Sequence, residues 1–249
     1  MEEKNNKISR KQFLTTVGGL AAGAVLAGSG LSLLDSEVKA EKLPEYPWTK
    51  YFAKKLNVET VRKKATQYYH EGNHCAEASF RALVEELGAP FSNVPSQVLW
   101  FGAGGGAGWA TLCGAVNGGS AAISLVYGRS KITMALVNEL FGWYSETPLP
   151  LNSEVNSVAG TPLCHSSVSN WCEASGLKAD SKKRSKRCGL LTGDTTAKAA
   201  ELLNAQLAGK FVATYTIPKE AQECMNCHVA GDLKDTRGKM DCLDCHEGH

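Results

Sequence analysis

Two short runs carry the most specific chemistry in this chain. Cys224-Met225-Asn226-Cys227-His228 and Cys242-Leu243-Asp244-Cys245-His246 both read C-x-x-C-H. In that spacing two thiols can add to the vinyl groups along one porphyrin edge, and the following imidazole can fold beneath the ring to bind the iron. Cys224, Cys227, Cys242 and Cys245 are therefore the expected attachment points for two haems c per chain, with His228 and His246 as proximal ligands. A zinc ribbon also uses paired C-x-x-C, but nothing in that chemistry requires His directly after both pairs. A C-x-x-C loop is also tight for a structural disulfide.

Five cysteines remain of the nine in the chain: Cys75, Cys113, Cys164, Cys172 and Cys188. They can be read as small buried hydrophobes, as one or two disulfides in an oxidising compartment, or as thiolate ligands of an iron–sulfur cluster. Four His lie outside the haem motifs: His70, His74, His165 and His249. They are the candidates for the sixth position on each iron. His249 follows His246 too closely to reach the opposite face of the same haem, so it could serve the other haem or one in a partner chain. His70 and His74 lie one turn apart beside Cys75. His165 adjoins Cys164 and could serve a cluster or its surroundings.

The elements that must position these residues read as all-α. Asn57 caps a helix with Val58, Val61, Ala65 and Tyr68 on one face, stopping at Gly72. Ala76, Phe80, Leu83 and Leu87 mark a second helix. Cys113 to Tyr127 and Ile132 to Tyr144 are two more, followed by a loop from Pro148 to Pro162. Further helices are expected near Ser166–Ser175, Ser181–Leu191 and Asp194–Leu207, with Asp194 as a cap and Gly209 as a terminator. Gln97–Phe101 and Phe211–Thr216 are the only strand candidates. Gly102 to Ala107 fits a loose dinucleotide fingerprint, but neither an acidic residue near position 125 nor a strand–helix alternation accompanies it. Close backbone packing beside Cys113 is the better use of those glycines.

Residues 1–40 read as an export signal: a basic start, an apolar Gly- and Ala-rich stretch from Val17 to Leu34, and a small-residue site at Val38-Lys39-Ala40. Ser9-Arg10-Lys11-Gln12-Phe13-Leu14 resembles a twin-arginine signal, with Lys11 in place of the second Arg. Such a signal exports proteins already folded, which suits a cofactor assembled before export. Its removal leaves 22 basic and 21 acidic residues. No nucleic-acid surface is expected from that balance, and no stable membrane span after processing. The expected organisation is an export signal over 1–40, a helical Cys-containing redox domain over 41–209 and a di-haem segment over 210–249. That last segment has few large apolar residues and must fold around something bound.

Cys75 in an Asn-His-Cys-Ala helix start, then Cys113-Gly114-Ala115-Val116-Asn117-Gly118, then two later Cys, resembles the redox family named for its C, GCAxxG, C, C pattern. With the two C-x-x-C-H motifs added, the whole mature chain resembles the split-Soret cytochromes c. The resemblance implies a homodimer, two closely packed bis-histidine haems per chain and a non-haem iron–sulfur centre. Carried over by position, Cys75, Cys113, Cys172 and Cys188 match the family's four Cys, and Cys164 is a fifth. Two-sided His ligation leaves no open iron, so the expected role is electron transfer between redox partner proteins in the periplasm or another exported location, rather than catalysis. The alternatives are a small reductase with an open haem iron, or a redox or metal sensor using the Cys domain.

Overall fold

A computed structural model describes residues 43–228, 238–243 and 246. The export signal expected over 1–40, Cys245 and His249 lie outside the described residues. Among the described residues there are seven α-helices and no strand. In chain order they are α1 (Val58–Tyr68), α2 (His74–Leu87), α3 (Gly114–Tyr127), α4 (Lys131–Glu146), α5 (Cys164–Ser175), α6 (Lys182–Leu207) and α7 (Lys219–Cys224). Two isolated antiparallel bridges, Leu112 with Leu163 and Leu149 with Ser157, tie loops together.

The first helix starts where the sequence places it, because the Asn57 side chain accepts a hydrogen bond from the Thr60 amide at 3.0 Å. It buries Val61 and Ala65. At Gly72 (φ +100°) the chain does not leave the helix cleanly; Tyr69–Asn73 forms a wide turn that delivers it straight into α2. His74, the first residue of α2, has φ +55°. A non-glycine residue in the left-handed region is strained, and here the strained residue stands directly before Cys75.

Buried residues run almost continuously along α2, from Cys75 through Val84, because α1, α3 and α6 all pack on it. The approach of α3 is closest. A Cβ at Gly114 would fall on the Cys75 sulfur, and one at Gly118 on the Ala76 carbonyl oxygen. Gly114 and Gly118 stand one turn apart, so the Cys-Gly-Ala-x-x-Gly run is a flat helical face that lets two backbones meet. A methyl group at either position overpacks this crossing, a change that typically costs about 1–3 kcal/mol. Around the crossing lie Phe80, Leu83, Phe91, Val116, Ile123, Leu136, Leu140 and Leu203, all at most 3% exposed.

The two helices expected over 181–207 are one. Asp194 caps nothing. Its carboxylate accepts from the Leu151 amide at 2.8 Å and pairs with Arg62, so it stays inside α6 and holds α1 and the 148–162 loop against it. The start of α6 is capped instead by Ser181, whose hydroxyl accepts from the Arg184 amide. Neither strand candidate forms: Ser96–Gly102 is a 3₁₀ helix, and residues 210–218 run extended without a ladder. The Glu139 carboxylate anchors that extended run by accepting from the Thr214 and Tyr215 amides, while the Tyr215 ring fills the space a side chain at Gly142 would need.

Candidate functional site

Beside the α2–α3 crossing lies a cavity of about 460 Å³ whose lining includes four thiols: Cys75, Cys113, Cys164 and Cys188. Each arrives by a different route. Cys75 enters in the first turn of α2, and its sulfur donates toward the Gly102 carbonyl at 3.8 Å. Cys113 is the residue before α3. Cys164 opens α5 and is placed by a pairing of distant segments: the Cys113 amide donates to the Pro162 carbonyl at 2.9 Å, and the Cys164 amide to Thr111 at 2.7 Å. That exchange sets Cys113 and Cys164 side by side. Cys188 comes from the second turn of α6.

Cys172 stands outside this cavity, about 12 Å farther along α5 than Cys164 at the helical rise per residue. The structure thus brings Cys164 to the other three thiols and leaves Cys172 apart. The glycine run over 102–108 closes one wall. Gly104, Gly105, Gly106 and Gly108 all have positive φ, and a Cβ on Gly105 would come within 2.8 Å of the Cys164 Cβ. These glycines wrap the backbone around a thiol site and cradle no nucleotide.

Buried thiols resist ionisation, because burial disfavours the charged form. Burial, and next the neighbouring Cys113, pushes Cys75 up to about 12. Burial, then Cys113 and Cys188, does the same to Cys164. Cys113 is raised as well, chiefly by burial. All five Cys of this domain are free thiols, so the disulfide reading does not hold here.

Arg187 in the cavity lining, and Tyr144 beside the lining residues Cys113 and Ser167, have polar atoms without the partners that buried groups ordinarily find. Tyr144, with no solvent exposure, brings its hydroxyl to Cys113 and Ser167 but completes no hydrogen bond. Arg187, 3% exposed, donates to Ser167 Oγ at 2.8 Å and reaches the Cys188 sulfur at 3.9 Å, while its Nε has no acceptor. The sequence gives one hint of this, since Arg187 adjoins Cys188. Nothing in the local pattern says that this Arg faces inward.

The candidate histidines separate. His74 lines the cavity and packs against Tyr69 and Trp100. His70 is exposed, with its ring over Gly189 beside Cys188. His165 is exposed at the start of α5. Among the described residues no three of His, Cys, Asp or Glu converge tightly enough for one metal ion. A single tetrahedral ion draws its sulfurs to within about 3.8 Å of one another. Thiols spread around a cavity suit a polynuclear iron–sulfur cluster, whose ligands stand farther apart. The residues present fit such a group.

In the tail, the same hydrogen bond joins the first and last residues of both C-x-x-C-H motifs. The His228 amide donates to the Cys224 carbonyl at 3.1 Å, and the His246 amide to Cys242 at 2.9 Å. From Cys224 to His228 one helical turn closes, a winding that would set two thiols along a porphyrin edge and the imidazole beneath the ring. The two turns also meet, because the Cys224 thiol contacts Cys242; partial burial and then this contact raise the Cys242 thiol. Lys239 fixes the approach by donating to Asn138 of α4 at 3.0 Å. These residues fit covalent haem.

Comparison with known proteins agrees with this arrangement. The family model "Putative redox-active protein (C_GCAxxG_C_C)" matches residues 73–202. A curated relative, the split-Soret cytochrome c of Desulfovibrio desulfuricans, is 32% identical over 271 aligned positions, covering 97% of this chain and 95% of the relative. A solved structure, described as a novel iron centre in the split-Soret cytochrome c from that organism, superposes with a TM-score of 0.72 at 35% identity. It covers 79% of this chain and 90% of the other. A helical thiol-lined domain followed by two haem-attachment turns, matched over nearly its full length, places the chain in the split-Soret cytochrome c family.

Proposed function

We propose that this chain is an exported di-haem cytochrome that transfers electrons and carries a separate iron–sulfur centre in its helical domain. The observation that carries this reading is the pair of identical C-x-x-C-H turns, in contact through Cys224 and Cys242, on a domain whose other thiols gather at one cavity. Cys224, Cys227 and His228 would hold one haem, and Cys242, Cys245 and His246 the other. Cys75, Cys113, Cys164 and Cys188 would hold the iron centre. When bound, these groups supply one-electron redox chemistry.

The protein's own residues set the conditions for that chemistry. The contact between Cys224 and Cys242 would set two haems near each other, where each would shield apolar porphyrin surface of the other from water. Cys75 and Cys113 are buried and Cys164 and Cys188 half-buried, which would limit the access of water to the iron centre. His249 is the leading candidate for a distal ligand to a neighbouring haem, since it follows the second motif in sequence, whereas His74 lines the thiol cavity and His70 and His165 belong to the helical domain. Homodimer formation accords with the large apolar side chains left exposed between 98 and 109: Val98, Trp100, Phe101 and Trp109. Export accords with the signal-like residues 1–40. No helix of the described residues is long and apolar enough to cross a membrane.

Carbon monoxide tests the electron-transfer reading, because it binds only an iron with an open position. The reduced protein is expected to keep its visible spectrum under carbon monoxide. A carbon-monoxide adduct on either haem would favour a small reductase instead.

A further inference from the structure

We propose that Arg187 is the built-in counter-charge of the iron centre and, with Tyr144, a donor to its sulfur atoms, so that the two residues hold its reduction potential up. The inference rests on the thiol cavity holding an iron–sulfur cluster, and it adds the residues that tune that cluster.

A guanidinium does not give up its proton inside a protein, so a buried Arg needs an anion. Arg187 is buried at 3% exposure, and among the described residues no carboxylate pairs with it. Among the described residues its hydrogen-bond partners are a neutral hydroxyl, Ser167, and the Cys188 sulfur. Loading reverses this balance, because four thiols become thiolates and the assembled cluster carries net negative charge. The missing anion is then supplied at the Cys188 end of the guanidinium.

Tyr144 repeats the pattern from behind Cys113. Its fully buried hydroxyl is a donor without an acceptor at Cys113, and a thiolate or bridging sulfide there would be one. Arg184 also reaches Cys188, but it is half-buried at the cavity edge, where water screens its charge. Reduction adds one electron to an already anionic cluster. A buried cation and a sulfur-directed hydrogen bond stabilise that reduced form, and net charge and hydrogen bonds to sulfur are what set such potentials.

The test is a redox titration of the full-length, haem-loaded protein, following the non-haem centre by electron paramagnetic resonance. Arg187→Gln, Arg187→Lys and Tyr144→Phe are compared with the unaltered protein, and the haem spectrum serves as the folding control. Arg187→Gln is expected to shift the centre to a more negative potential, Arg187→Lys to restore most of the shift, and Tyr144→Phe to give a smaller shift in the same direction. Should Arg187→Gln lose its non-haem iron, recovery of iron in Arg187→Lys supports the counter-charge role. Equal loss in both would overturn it in favour of packing. A potential in Arg187→Gln equal to that of the unaltered protein also overturns it. If the unaltered protein itself holds only haem iron, the cluster reading fails first and this inference falls with it.

Discussion

Replacing Cys164 by Ser should strip the non-haem iron from the protein, whereas replacing Cys172 by Ser should leave it in place. The two residues share α5 and differ by eight positions, so a general effect on that helix would touch both variants. Only Cys164 reaches the cavity with Cys75, Cys113 and Cys188. Ser at 164 removes one of the four thiols that line the site, and a hydroxyl is a poor substitute for a thiolate on iron. Iron and acid-labile sulfide per haem, measured on both variants, decide the matter. Iron lost from Cys172→Ser and kept in Cys164→Ser would mean that the site rearranges around the cysteine that the family's linear pattern selects.

The second large effect concerns the tail. A Cys242→Ala/Cys245→Ala double variant should retain one covalent haem, on Cys224 and Cys227, and lose the split or distorted Soret band. The reason is the contact between Cys224 and Cys242. Only 13 residues separate His228 from Cys242, and the Cys224 and Cys242 thiols interact. Porphyrins attached there are close enough for their transitions to couple, and a single porphyrin has no partner within the chain. Intact mass gives the haem count, and the absorption spectrum gives the coupling. A split band that survives in the one-haem variant would assign the coupling to haems of two different chains.

Much of this was legible in the residues because it is local. Asn57 caps α1 through its own neighbour Thr60, and the apolar spacing of α2 and α3 follows the helical period. The haem motifs are readable for the same reason, since the chemistry fixes five consecutive residues. What escaped the sequence is non-local. Asp194 resembles a helix cap until Leu151 and Arg62, far away in sequence, take its carboxylate. The choice between Cys164 and Cys172 depends on the pairing of Leu112 with Leu163, which no window around either cysteine contains. Arg187 sits in the basic run Lys182-Lys183-Arg184-Ser185-Lys186-Arg187, which reads as a solvated face, yet its side chain turns inward to Ser167.

The most direct measurement is total iron against haem iron, with acid-labile sulfide, on one sample of protein matured in a cell that attaches haem c. Two haems account for two irons per chain, so a cluster in the thiol cavity predicts iron in clear excess of haem, with sulfide in proportion to that excess. Iron equal to haem, with no sulfide, would contradict the account and leave the four gathered thiols as packing alone.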